Sequence, residues 1–276
     1  VDIVQGDANV PDEQPTAVKG NALPPTIVRP DRLPTFEVDS NILEQNCIVG
    51  FNNRDVKSRQ FSLLRTQVLK KMQAHNWKII GVTSPAPGAG KSFLSSNLCA
   101  SLSRIPNRTI YLFDLDLRRA TQAHNFGLSG EYGLSEYLEG TVNSLSQIGR
   151  RIDGTNLSIY PCYEPHFDSF ERLSGQRFSD LIGAMHRLPD DAIVICDLPP
   201  VFANDDAIMV AQKLDAYIMV LEQGVNTQKQ IQDCARLLEP TPCLGSVLNR
   251  YDGGFSDPYG YGSVKKYTGY YDTPKA

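Results

Sequence analysis

Lys78-Ile79-Ile80-Gly81-Val82-Thr83-Ser84-Pro85-Ala86-Pro87-Gly88-Ala89-Gly90-Lys91-Ser92 decides how this chain folds. Its first residues are an apolar run of strand length. The following Phe93-Leu94-Ser95-Ser96-Asn97-Leu98-Cys99-Ala100-Ser101-Leu102 returns its apolar residues every three or four positions, as one face of a helix does. Strand, glycine-rich turn, Gly-Lys-Ser and helix together make a phosphate site rather than a plain turn. Small residues let successive backbone N–H groups converge on an anion, and the helix start adds partial positive charge. The nucleotide cradle is therefore read over Pro87, Gly88, Ala89, Gly90, Lys91, Ser92 and Phe93. Lys91 is placed to reach the β- and γ-phosphates, and the Ser92 hydroxyl to ligate Mg2+. Pro85 stands where the usual pattern begins with glycine.

Two further apolar runs end in acid. Tyr111-Leu112-Phe113-Asp114-Leu115-Asp116-Leu117-Arg118 closes on two carboxylates and an arginine, and strand alternation aims Asp114 and Asp116 to the same side. Ile193-Val194-Ile195-Cys196-Asp197-Leu198-Pro199-Pro200 closes on a third carboxylate, where the prolines stop the strand. Carboxylates beside a triphosphate repel it unless a divalent cation lies between them. ATP with Mg2+ is thus implied, the metal held by Ser92 and by one or more of Asp114, Asp116 and Asp197. Phosphoryl transfer needs positioned phosphates, a metal and a carboxylate that orients the attacking group. Lys91, Asp114, Asp116 and Asp197 are the catalytic candidates, with metal contact and base unassigned between Asp114 and Asp116.

Around these motifs runs a βα rhythm. Strands are predicted at 78–83, 109–113, 157–160, 192–196, 216–221 and 244–248, and helices at 91–104, about 170–187, about 205–213 and about 227–238. An amphipathic helix over 59–73 carries Phe61, Leu64, Val68 and Met72 on one stripe. The pattern predicts an α/β fold, doubly wound, with a mainly parallel sheet, helices on both faces, and ligand loops at the carboxyl ends of the strands.

The 276 residues suit one or two domains, and a net charge of −4 argues against a nucleic-acid partner. No apolar run approaches a membrane span, and the acidic, proline-containing start shows no secretory signal. The six cysteines are scattered without a C-x-x-C pair, so they are expected reduced and mostly buried, which points to the cytoplasm. Residues 1–57 read as a proline-rich, largely solvated N-terminal arm, 58–250 as the P-loop domain, and 251–276 as a flexible tail. That tail holds half of the 12 tyrosines, too many aromatic and glycine residues with too few aliphatics to build a core.

At this point the motifs resemble the bacterial tyrosine kinases of capsular and exopolysaccharide systems, the BY-kinases, over about residues 58–271. The resemblance rests on a Walker A loop over 84–92, a Walker A-prime motif Asp114-Leu115-Asp116-Leu117-Arg118, and a Walker B motif Asp197-Leu198-Pro199-Pro200. It implies the MinD/ParA-like branch of the P-loop fold and an ATP-dependent protein-tyrosine kinase that regulates polysaccharide polymerisation or export. It implies that Tyr259, Tyr261, Tyr267, Tyr270 and Tyr271 are phospho-acceptors. Arg118 joins the nucleotide contacts, Asn249 approaches the adenine, and Asp206 follows Walker B. A membrane activator or polysaccharide co-polymerase would recruit the chain to the inner face of the cell membrane. The family also self-associates in rings through a Glu-x-x-Arg-x-x-Arg helix. Here Arg59 and Ser62 replace the first two of those residues and only Arg65 remains.

Two other readings stay open. A positioning ATPase similar to MinD and ParA shares the loop, but its extra lysine falls on Ala86. A non-catalytic, ATP-binding scaffold of a polysaccharide system would keep the cradle and lose the transfer.

Overall fold

Apolar residues on both sides of each central strand require a sheet covered on both faces. In Thr109–Asp114, Tyr111 and Phe113 enter one core while Ile110 and Leu112 enter the other. In Ala192–Asp197, Val194 and Cys196 divide from Ile193 and Ile195 in the same way.

The computed structural model describes residues 25–251. The strands are Thr35–Phe36 (β1), Ile79–Thr83 (β2), Thr109–Asp114 (β3), Arg150–Ile152 (β4), Leu157–Tyr160 (β5), Ala192–Asp197 (β6), Ala216–Glu222 (β7) and Cys243–Asn249 (β8). The α-helices are Ser40–Gln45 (α1), Arg59–His75 (α2), Lys91–Leu102 (α3), Thr121–Phe126 (α4), Leu134–Glu139 (α5), Leu145–Ile148 (α6), Ser169–Ser174 (α7), Gln176–His186 (α8), Asp206–Ala211 (α9) and Gln228–Leu237 (α10). The sheet order is β1-β4-β5-β3-β6-β2-β7-β8. Among the described residues, only the β4–β5 pairing is antiparallel. This is the doubly wound, mainly parallel fold expected.

Register brings the three motifs together. Asp197 of β6 pairs with Asp114 of β3 on one side and Val82 of β2 on the other. The glycine-rich loop leaving β2 and both acidic strand ends therefore emerge at one level, on the carboxyl edge where such sheets bind ligands.

Three features differ from the sequence reading. The helix expected over 170–187 is two helices, because Gly175 is extended (φ −74°, ψ 165°) between α7 and α8. The short elements β1, β4, α1, α4, α5 and α6 lack a run long enough for periodicity to register. The third concerns the arm, whose described part, though exposed over much of its length, is anchored to the core at several points. Ile27, Leu33 and Ile48 are buried, and β1 pairs with β4. Residues 47–50 are latched to α3, where Asn97 Oδ1 accepts from the N–H groups of Val49 (2.8 Å) and Gly50 (3.1 Å). A Cβ on Gly50 would lie 2.3 Å from the Asn97 carbonyl oxygen, so glycine is required by this approach.

All six cysteines are free, with Cys99, Cys162, Cys196 and Cys234 buried and Cys47 and Cys243 exposed. Among the described residues, no helix is long and apolar enough to cross a membrane. Tyr259, Tyr261, Tyr267, Tyr270 and Tyr271 lie outside the described residues, as do residues 1–24.

Candidate active site

The loop after β2 is shaped by two glycines in the left-handed region, Gly88 (φ +90°) and Gly90 (φ +93°). A Cβ on Gly88 would meet nothing within 4 Å, whereas one on Gly90 would lie 2.1 Å from Asn249 Nδ2. Asn249 donates to the Ala89 carbonyl at 2.8 Å and so braces the loop from the end of β8. Pro85 is tolerated because this position gives a carbonyl rather than an N–H. Its oxygen accepts from Phe202 N (3.1 Å), next to the Ser84 oxygen that accepts from Val201 N (2.8 Å). The Walker B segment is thereby stitched to the phosphate loop.

Lys91 opens α3 and is 5% exposed. Its Nζ lies 2.5 Å from Asp116 Oδ2 and 3.2 Å from Ser92 Oγ. Burial pulls the Lys91 ammonium down, but the carboxylates of Asp197, Asp116 and Asp114 outweigh it and hold the group above the ordinary lysine value.

Asp114 and Asp197 are fully buried. Asp197 Oδ1 accepts from Ser95 Oγ (3.1 Å) and its Oδ2 from Gln122 Nε2 (2.8 Å). Asp114 Oδ2 accepts from the Gln122 backbone N–H (2.9 Å), while its Oδ1 is buried without a hydrogen-bond partner. Burial, then repulsion from Asp197, raises the Asp114 carboxyl well above the usual range. Burial also raises Asp197, offset in part by Lys91 and by the Ser92 and Gln122 side chains.

Three buried carboxylates face one ammonium here, a formal surplus of two negative charges. Left without a counter-charge, such a surplus costs several kcal/mol per ion by the usual magnitude, about that of an unpaired buried charge. The orphaned Asp114 Oδ1, with the Ser92 hydroxyl at the start of α3, offers oxygen donors that suit a hard divalent cation. No cluster of three or more His, Cys, Asp or Glu side chains of metal-binding geometry occurs among the described residues. A cation would accordingly draw on hydroxyl, phosphate and water oxygens as well, which is the habit of Mg2+.

The raised carboxylates have a consequence for stability. A group whose folded-state pKa exceeds its unfolded value binds more protons when native. Its contribution is full below the ordinary carboxylate range and is lost as pH rises through the elevated one. Metal-free protein should therefore lose thermal stability between mildly acidic and mildly alkaline pH. Asp114→Asn should flatten that profile and, once pH has risen above the elevated carboxyl range, stabilise the fold by about 1 kcal/mol or more, the size of a relieved buried charge. Thermal unfolding in EDTA across this range is the check, and an unchanged slope would contradict the assignment.

The other sequence candidates divide. Arg118 Nε donates to Ser169 Oγ (2.8 Å) and lies 3.3 Å from Asp206 Oδ2, which also accepts from Ser169 (2.6 Å) and Asn204 (2.9 Å). This second polar cluster ties the A-prime segment to α7 and α9. The Phe93 ring packs edge-on against Phe61 of α2, with centroids 5.7 Å apart, and only the Phe93 backbone is left for an anion. Pro87 and Gly88 are exposed at the loop tip. Gln122, Ser95, Ser169 and Asn204 escaped the sequence reading, since each is a common polar residue outside any motif.

No family model matches the chain. It is 32% identical over 178 residues to tyrosine-protein kinase CpsD of Streptococcus pneumoniae serotype 4, covering 63% of this chain and 77% of that protein. It is 28% identical over 205 residues to tyrosine-protein kinase ptk of Acinetobacter johnsonii, covering 73% of this chain. The match spans 27% of the length of that relative, and the same share of the Escherichia coli tyrosine-protein kinase etk. The kinase domain of Escherichia coli tyrosine kinase ETK superposes with a TM-score of 0.65 at 24% identity, covering 85% of this chain and all of that one. MinD of Pyrococcus horikoshii, solved with Mg-ADP, gives 0.54 at 20% identity over 63% of this chain and 70% of its own. At these identities the two superpositions establish the fold alone.

Proposed function

The chain belongs to the bacterial tyrosine-protein kinase family, and from that premise we propose that its P-loop site transfers the γ-phosphoryl group of ATP to tyrosine hydroxyls of its own C-terminal segment. The observation that carries the reading is the Lys91–Asp116 ion pair, set 2.5 Å apart at the mouth of the phosphate cradle. It brings within reach of one phosphate group both the cation that would offset its charge and the carboxylate that would take the phenol proton.

Loop N–H groups and the α3 N-terminus bind the phosphates. Lys91 leaves Asp116 for the β- and γ-phosphate oxygens, where it offsets the charge of the transition state. Asp116, released, accepts the phenol proton as the tyrosine oxygen bonds to the γ-phosphorus and the bridging bond to ADP breaks. Ser92 and Asp114 would hold Mg2+, with Asp197, whose oxygens are already engaged by Ser95 and Gln122, in support. That ion supplies neutralisation of the phosphate charge during transfer.

Under this proposal residues 58–250 are the catalytic domain, 1–57 a preceding arm and 251–276 the substrate tail, with Tyr259, Tyr261, Tyr267, Tyr270 and Tyr271 as acceptors. Each phosphate adds about −1.5 to −2 charges, so a modified tail is repelled from a site lined by aspartates. Resemblance to the BY-kinases adds self-association, a membrane-bound co-polymerase partner that recruits the chain to the inner face of the cell membrane, and a role in exopolysaccharide or capsule export.

Incubation with Mg·ATP should add phosphates, visible by intact mass, that map to the five tail tyrosines. Phosphate release with no added mass would favour the positioning ATPase, against which Ala86 already speaks. Nucleotide binding with neither product would favour the scaffold.

A further inference from the structure

We propose that Gln122 is a positioning residue whose side-chain amide sets the Asp197 carboxylate against the phosphate-loop helix, and so fixes how Asp197 supports the cation, while its backbone N–H takes up Asp114 Oδ2. The inference rests on the Mg·ATP reading above.

Gln122 is the second residue of α4 and is fully buried. Its backbone N–H donates to Asp114 Oδ2 (2.9 Å) at the end of β3. Its Nε2 donates to Asp197 Oδ2 (2.8 Å) at the end of β6 and to the Ser92 carbonyl (3.2 Å) in the first turn of α3. Its Oε1 accepts from Ser96 Oγ (2.7 Å), a hydroxyl that Asn125 Nδ2 also reaches at 3.0 Å. One residue thus touches all three segments that bring the site together.

The chemistry is specific to an amide. A primary amide has two N–H donors and one carbonyl acceptor, and all three functions are used here. A methionine would fill the volume without donating. A glutamate could accept from Ser96 but not donate to Asp197, and would add a fourth carboxylate to a site already in negative surplus. The Gln122 contacts occupy Oδ2 of both aspartates, and Ser95 takes Asp197 Oδ1. Asp114 Oδ1 remains without a partner. Nothing in the Walker motifs encodes this arrangement; it follows from where the turn over 117–119 delivers residue 122.

The test compares ADP affinity in excess Mg2+ with that in EDTA, on the full chain, for wild type, Gln122→Met and Gln122→Glu, with the melting temperature of each recorded. The wild-type ratio of the two affinities measures how much the metal adds. Gln122→Met should cut that ratio by about 10- to 100-fold, as loss of an outer contact to a metal ligand does, and Gln122→Glu by at least as much. A residue serving packing alone would lower the melting temperature and weaken both affinities equally. An unchanged ratio therefore overturns the proposal. Should Gln122→Met fail to fold, Ser96→Ala keeps Gln122 and removes the hydroxyl that anchors its Oε1, together with that hydroxyl's bonds to the Ser92 carbonyl and from Asn125, and should reduce the ratio about 3- to 5-fold, the weight of one hydrogen bond; no reduction there overturns it as well. A wild type indifferent to Mg2+ would sink both this proposal and the Mg·ATP reading, whereas equal ratios in wild type and Gln122→Met sink this one alone.

Discussion

Lys91→Met should abolish the proposed phosphate transfer to tyrosine, by about 10³-fold or more, because the cradle loses its charged donor to the γ-phosphate. The same substitution should also destabilise the fold. Lys91 and Asp116 are 6% and 1% exposed at the side chain, so removing the ammonium leaves a buried carboxylate without its partner. Breaking a buried pair from one side costs about 3–5 kcal/mol. Loss of transfer alone would therefore not distinguish chemistry from unfolding. The double variant Lys91→Met/Asp116→Asn does: it removes both charges, should regain most of the melting temperature, and should regain none of the transfer. Thermal unfolding and phosphotyrosine formation, read on the same preparations, make the comparison. Transfer retained in Lys91→Met would end the kinase reading.

Asp116→Asn should lower kcat about 10²- to 10⁴-fold, the range for a lost general base, and leave the KM for ATP within a few-fold of wild type. Asp114 and Asp197 still surround Lys91 and the cation, so binding survives while the proton acceptor does not. The split separates Asp116 from Asp114, whose replacement should instead raise the Mg2+ requirement, since Asp114 Oδ1 is the oxygen left without a partner. An Asp116→Asn protein with wild-type kcat would place the base elsewhere. Unchanged kcat together with a raised KM would make Asp116 a binding residue only.

The division between what could be read along the chain and what could not follows from the range of the forces involved. Apolar runs ending in Gly-Lys-Ser, in Asp-Leu-Asp and in Asp-Leu-Pro-Pro determined by themselves the parallel α/β sheet, the phosphate loop and the acidic residues facing it. Strand period, helix period and turn chemistry are local, written within about ten residues. Tertiary structure alone decided that Lys91 rests on Asp116, that Arg118 turns to Ser169 and Asp206, that Asn249 braces Ala89, and that residues 25–57 close against β4 and α3. It also decided that an unremarked glutamine joins three segments. Each of these is a contact between residues distant in the chain, settled by the need to satisfy every buried polar group at once, and that requirement exists only after the sheet register has brought the groups together.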